Sequence, residues 1–427
     1  MLTTLLLIMI ILLLLNFPMM IPLILAPVII MLIYNPNLSM DLLMKQLLTG
    51  IESPVLLCVP LFIFAADIMT SGRTSQRLLD FIGGAFVGHM RGGYAVTTAA
   101  ACTMFGGAIS GSTQATVVAI GRPMRERLLK IGYKDSSAMA LIINSSDVAL
   151  LVPPSIGMII YALAAGSGVS VGDLFIAGII PGLIVFLSFA IYSVIYAKLK
   201  DIPLADRVSW PDRLKYFRKA LLPLGFPIII IGGIYMGYFT PVEASGISVL
   251  YALILEVLIF KTIPWKKIPS IALSTGLVTS AVFILVAGGQ LFTWVLGYAR
   301  IPQQITESVL GTDPSAMYVL FIVSIFFFIG CMFVDPIVVI LILTPIFAPA
   351  AEAAGVDLIH LGIIVTFQAA LGSATPPFGG VDIFTASAVF KKPYLEVIKS
   401  TPPFIIMLLI IGGVLLVLFP QLSLVLI

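Results

Sequence analysis

Charge is what this sequence has least of. Lys, Arg, Asp and Glu make up 10% of its 427 residues, where a soluble domain carries about 25%. A water-exposed surface cannot be built from so few charges, so a soluble enzyme or binding module is excluded. There are two histidines (His89 and His360) and three cysteines (Cys58, Cys102 and Cys331). They are too scattered for a metal centre, and the cysteines, all in apolar stretches, suggest no disulfide framework. The N-terminal stretch lacks a basic n-region and a small-residue cleavage site. It therefore reads as a retained span and not a cleaved signal peptide. Basic residues gather at 122–134 and 198–219. In this setting they are solvated loops facing lipid headgroups, not a nucleic-acid surface.

What is present in excess is apolar sequence, 60% of residues. The chain reads as an all-α polytopic membrane protein. Residues 1–34 are too long for one crossing of a hydrocarbon core roughly 30 Å thick, and Asn16-Phe17-Pro18 is the expected turn between two. Further apolar runs cover 54–69, 94–120, 138–165, 174–197, 221–239, 244–260, 271–297, 316–350, 358–390 and 403–419. Basic loops mark the cytoplasmic side: 198–219 holds seven Lys/Arg and 261–267 holds three. Two spans lie between them, as the rule requires.

Two runs break the simple count. The run 94–120 is basic on both flanks, with Arg91 before it and Arg122, Arg125, Arg127, Lys130 and Lys134 after it. It should enter and leave on one side as a re-entrant hairpin over about 94–121, with a Gly/Ser/Thr tip at 106–116. The run 316–350 has acidic flanks (Glu307, Asp313, Glu352, Asp357) and reads as a hairpin from the opposite side, its tip at 330–336. Two other runs, 138–165 and 358–390, carry polar residues and a Pro-Pro pair in mid-span, at 144–155 and 371–380. These should be discontinuous helices, which lipid tolerates only where they line a cavity or bind something. The devices recur at matched spacing: Gly132 to Pro153 and Gly355 to Pro376 are each 21 residues, and Gly72-Arg73 matches Ala299-Arg300. The expectation is two inverted-topology repeats, 1–220 and 221–427, each of five crossings and one hairpin, with both termini external.

A hairpin tip facing a broken helix can offer carbonyls, hydroxyls and a carboxylate together, which suits a sodium ion. The first expected sodium site is Ser110, Gly111, Ser112, Asn144, Ser145, Asp147, Pro153 and Ser155. The second is Gly330, Asp335, Ser373, Thr375, Pro376 and Gly379. Asp147 and Asp335 read as the only acids deep in these elements. The plainer account is local: Ser and Thr bond the i−4 carbonyl, and Asp-Pro starts a turn. The repetition favours ion sites. Substrate-binding candidates are Arg300, Asn144, Ser112 and Arg73, for a small anion. Gln290 and Gln368 read as helix-packing residues.

The tip Ile109-Ser110-Gly111-Ser112-Thr113-Gln114-Ala115-Thr116, with Leu151-Val152-Pro153-Pro154-Ser155 and Gly372-Ser373-Ala374-Thr375-Pro376-Pro377, resembles the large membrane subunit of a tripartite ATP-independent periplasmic (TRAP) transporter. The likeness covers essentially the whole chain and is greatest to the sialic-acid type. It implies a bacterial inner-membrane protein, sodium-coupled uptake and an elevator motion. It also implies a separate small four-helix Q-type membrane subunit and a soluble periplasmic substrate-binding protein. The two motif groups would be its sodium sites, with no organic cofactor and no transition metal. Competing readings are a stand-alone anion or dicarboxylate symporter and, remotely, an intramembrane aspartyl protease built on Asp147 and Asp335, whose contexts lack the Tyr-Asp and Gly-x-Gly-Asp settings that chemistry uses. The protein is expected not to be an enzyme.

Overall fold

The computed structural model describes residues 1–83, 90–107, 111, 113–166, 168–204, 208–311, 314–377 and 380–427. The run 1–34 splits where the Asn-Phe-Pro turn predicts, into α1 (Leu2–Leu14) and α2 (Met20–Tyr34), with Asn16 in the left-handed region at φ 63°. Next come α3 (Met40–Thr49), a 3-10 turn leading into α4 (Cys58–Ser71), and α5 (Thr74–Phe81). The hairpin over the third run is α6 (Gly93–Phe105) and α7 (Thr113–Lys130). Its second arm runs nine residues past the expected end at 121, so Arg122, Arg125, Arg127 and Lys130 are helical and not in a loop. The first broken helix is α8 (Asp135–Asp147) and α9 (Ile156–Ala165), followed by α10 (Val171–Ala177) and α11 (Ile179–Leu199).

In the second half, α12 (Trp210–Tyr235) starts inside the stretch read as a basic loop. Its Ser209 cap and the Pro at its first turn explain the early start. Then come α13 (Pro241–Leu253), opened by a Thr240/Glu243 capping box, and the 31-residue α14 (Ile268–Tyr298). After α15 (Ile301–Leu310), the second hairpin is α16 (Ala316–Phe333) and α17 (Pro336–Ala353). The second broken helix is α18 (Leu358–Ser373) and α19 (Gly380–Phe390), and α20 (Tyr394–Ile398) and α21 (Pro402–Ile410) follow. With α21 continued through a π turn to Leu418, the order long helix, short helix, hairpin, broken helix, short helix, long helix occurs twice. The hairpins are not equal. Each arm of the second has 18 residues, about 27 Å, and is apolar enough to cross a membrane, whereas neither arm of the first is. Among the described residues, seven helices meet that standard.

Packing mixes the halves. In one group α4 lies against α13 and α14, α5 against α12, and α2 and α3 against α14. In the other, α7 packs on α8 and on α19, and α17 packs on α18 and on α9. Each hairpin therefore covers its own broken helix and the far half of the other. The contacts are polar at both ends. Arg122 Nε donates to the Val389 carbonyl (3.0 Å) and Arg125 to the Phe390 carbonyl (3.4 Å), capping the C-terminus of α19 from α7. Arg125 also grips both Asp135 oxygens at 2.6 Å, which holds that carboxyl below its ordinary range. At the other end the Tyr161 hydroxyl of α9 donates to the Leu358 carbonyl that opens α18 (2.7 Å).

One fully buried carboxylate ties the first group together. A wide π turn over Ile254–Ile259 extends α13 and places Glu256 under the start of α5. It accepts from Arg73 N (3.1 Å), Thr74 N (2.7 Å), Thr74 Oγ1 and the Thr262 hydroxyl. Peptide N–H groups at a helix N-terminus are well matched to a negative charge. Gly72 makes room, because a Cβ there would fall inside the carboxylate. Gly72→Ala should therefore displace Glu256 and cost about 2–3 kcal/mol, the worth of one or two hydrogen bonds to a charged group. Gly276→Ala is the control, since a Cβ there meets nothing within 4 Å. The thermal midpoint of the purified protein should fall in the first variant only, and an unchanged midpoint in Gly72→Ala would refute this role for the pocket.

Candidate functional site

The first break follows from its residues. After α8 a 3-10 turn covers Val148–Leu150, and residues 151–155 leave the helix at the Pro pair. The Pro153-Pro154 bond is cis, as is Pro376-Pro377 in the second break. Ser155 serves both sides of the gap. Its hydroxyl donates to the Leu150 carbonyl (2.7 Å) and accepts from Met158 N at the start of α9 (3.2 Å). The tip of the first hairpin lies on this break. Gly111 has φ 61°, and a Cβ there would stand 2.6 Å from the Pro154 carbonyl. Only glycine meets both conditions. Ser110 and Ser112 lie outside the described residues.

The second break is held by similar local bonds. Ser373 Oγ donates to the Ala370 carbonyl (2.9 Å) and Thr375 Oγ1 to the Leu371 carbonyl (2.6 Å). Asp335 caps α17 by accepting from Ile337 N (2.9 Å). Hairpin two meets this break closely: beside Gly330, Cys331 lies against Gly372, where an added Cβ would be 2.6 Å away. Gly379 lies outside the described residues. Ser155, Ser373, Thr375 and Asp335 thus all make the local bonds that the plainer account anticipates. A hydroxyl that donates its proton still keeps lone pairs for another ligand.

Other oxygens have no such occupation. Asn144, Ser145 and Asp147 are buried. Asn144 donates one amide hydrogen to the Ala140 carbonyl (2.8 Å), and its Oδ1 has no partner among the described residues. Among the described residues, Ser145 Oγ, both Asp147 carboxyl oxygens, Gln368 Oε1 on α18 and Asp382 Oδ1 on α19 also have no hydrogen-bond partner. Asn144 and Asp147 share a cavity of about 10 Å³ with Phe367, Ala370 and Leu371, near the minimum that holds one water.

Asp382 corrects the sequence reading, which took Asp147 and Asp335 as the only deep acids. It is 1% exposed. Asp147, Ser373 and Gln114 surround its carboxyl, and Asp335 is near enough to act on its charge. It therefore has a member of each expected ion site beside it, Asp147 of the first and Ser373 of the second. The signal was present, since Asp382 is the only Asp or Glu in the apolar run 358–390. The acid facing Asp147 is Asp382 and not Asp335, so the dyad imagined for a protease does not form.

Two carboxylates at 4 Å repel by about 4 kcal/mol at an effective dielectric of about 20. A cation or a proton between them removes that cost. Among the described residues no cluster of three His, Cys, Asp or Glu could hold a metal ion. Half of the unpartnered oxygens here are neutral and half belong to two carboxyls, an all-oxygen donor set that suits a hard cation. The structure does not bring the two arginines to this place. Arg73 is exposed at the α4–α5 corner, and Arg300 is exposed just past α14 with φ 51°.

The chain is similar to known proteins along its whole length. The family model described as "Tripartite ATP-independent periplasmic transporter, DctM component" matches residues 6–422. An ectoine TRAP transporter large permease from Halomonas elongata is 56% identical over 97% of this chain and 96% of that protein. An ectoine/5-hydroxyectoine counterpart from Ruegeria pomeroyi is 55% identical over 97% and 96%. A sialic acid counterpart from Vibrio cholerae is 30% identical over 92% and 91%, which does not support the sialic-acid type expected from overall likeness. The fold is shared with the Alcanivorax borkumensis YdaH transporter, at TM-score 0.66 and 14% identity over 90% of both chains. With its multi-pass helical fold and this match, the chain is a transporter subunit and not an enzyme: it belongs to the DctM family of TRAP transporter large permeases.

Proposed function

We propose that this chain is the large permease of a sodium-coupled importer of ectoine or 5-hydroxyectoine in a bacterial inner membrane. The observation that carries the substrate is the identity gap: 56% and 55% to the two ectoine permeases against 30% to the sialic acid permease. A C4-dicarboxylate permease from Pseudomonas aeruginosa, at 37% over 89% of this chain, lies on the far side of the same gap. The word tripartite in the family description supports two partners, a small Q-type membrane subunit and a soluble periplasmic binding protein that delivers the solute.

Sodium coupling is supported by the unpartnered oxygens of Asn144, Ser145, Asp147 and Asp382 at the crossing of the two breaks. One ion sits between Asp147 and the first hairpin tip, and a second among Asp335, Ser373, Thr375 and Asp382. The ions cancel the repulsion of the carboxyls and draw both hairpin tips onto the broken helices. The hairpin and broken-helix group then moves as one body against α4, α13 and α14, an elevator motion. Its two parts are fastened by Arg122, Arg125 and Tyr161.

The test is uptake of labelled ectoine into proteoliposomes holding this chain, its small subunit and the binding protein. Uptake should require an inward sodium gradient and the binding protein. Unlabelled 5-hydroxyectoine should compete, and sialic acid and succinate should not. Uptake without the binding protein would indicate a stand-alone symporter, and uptake driven equally by a proton gradient would remove sodium. Asp147→Asn and Asp382→Asn should each lower sodium-driven uptake at least tenfold while the complex still purifies intact. Asp335→Asn retains a side-chain oxygen able to cap α17 and removes only the charge. It should weaken sodium dependence; wild-type dependence would limit Asp335 to capping.

A further inference from the structure

Away from the ion cluster, a second cavity lies between α14 on one side and α9 and α17 on the other, roofed by the corner 49–53. It has about 160 Å³ open to water, roughly ten times what one water molecule needs. Its polar lining is Thr49, Ser53, Gln290 and Thr293, and none of its lining residues is ionisable. Two of the four hydroxyl and amide groups are occupied. Thr49 donates to the Lys45 carbonyl (2.9 Å) and Thr293 to the Leu341 carbonyl (3.3 Å). Gln290 makes no hydrogen bond to a described residue, and Ser53 does not cap the turn it precedes. The helix-packing hydrogen bond expected of Gln290 is not made to a described residue, although its Cβ packs at the end of α3, where a Cβ on Gly50 would stand 2.7 Å away.

Gln290 lies eight residues before the end of α14, roughly 12 Å along the helix. Its amide faces a space that water can enter, so a solute that displaces that water must itself offer the amide polar partners. The amide offers donors and an acceptor together. A dicarboxylate or other anion would have to shed water here with no cation to receive it. A zwitterion carries its own compensation and needs a donor for one end and an acceptor for the other.

We infer that this cavity is a holding site for a small polar solute without net charge, gripped by the Gln290 amide and the Ser53 hydroxyl. It lies where the moving group, through α9 and α17, meets α14. The inference rests on the ectoine reading and adds a place and a selection rule to it: solutes are sorted by the absence of net charge, before they reach the carboxylates.

The test uses the assembled transporter carrying Gln290→Cys and a membrane-impermeant thiol reagent. The three native cysteines are buried, so wild-type protein supplies the background. The introduced thiol should label, and saturating ectoine should slow labelling at least fivefold while succinate and sialic acid do not. Gln290→Leu should raise KM for ectoine about tenfold with kcat changed less, and Gln290→Asn should recover most of the loss. No labelling, or labelling indifferent to ectoine in a transporter that still imports ectoine, would overturn the site and leave the proposed function intact. Protection by succinate would overturn the neutral-solute rule. Import of succinate in place of ectoine by wild-type protein would instead sink the substrate reading.

Discussion

In hydrocarbon, a backbone carbonyl or amide without a partner costs several kcal/mol. The architecture follows from the decision to break two helices under that constraint. Each break frees polar groups that water cannot reach. Side chains close part of the deficit locally, as Ser155 and Thr375 do. The hairpins pack over the breaks, and Gly111 shows how closely the first approaches. Because α7 reaches α19 and α17 reaches α9, neither break is covered by its own half alone.

The buried acids divide the molecule by function. Glu256 receives two peptide N–H groups and two hydroxyls, so its charge is answered by the fold and it serves as a fixed strut. Asp147 and Asp382 are as deeply buried, yet among the described residues both Asp147 carboxyl oxygens and Asp382 Oδ1 have no hydrogen-bond partner. Burial is the same in the two places; what differs is whether the protein completes the site. A complete site stabilises, and an incomplete one waits for something mobile. The cavity at Gln290 repeats this logic without charge.

Much of this was legible in the residues. The Pro-Pro pairs and the Gly/Ser/Thr tip located both breaks and the first hairpin, because few residues can leave a helix inside a membrane and those that can are conspicuous. Basic flanks did not give the length of the second arm over this run, since Arg122 to Lys130 continue a helix as readily as they end one. Asp382 was hidden in a long apolar run, where one acid changes the average little and the chemistry greatly. The Asp147–Asp382 juxtaposition joins residues more than two hundred positions apart, and no local pattern encodes it. The substrate lay beyond the motifs: the same Gly/Ser/Thr and Pro-Pro residues carried the likeness to the whole family, and overall likeness pointed to the sialic-acid type where the more similar relatives are ectoine permeases.

The clasp between α7 and α19 has a consequence for the order in which the protein comes into being. Arg122 and its acceptor at Val389 are 267 residues apart. At about 5–20 residues per second, a ribosome takes roughly 15 to 50 seconds to travel that distance. Throughout that interval the first hairpin is already made and the surface it covers is not. The newborn chain must spend most of its synthesis with a half-closed break, sheltered by lipid, translocon or its own small helices, until the last third of the message supplies the lid.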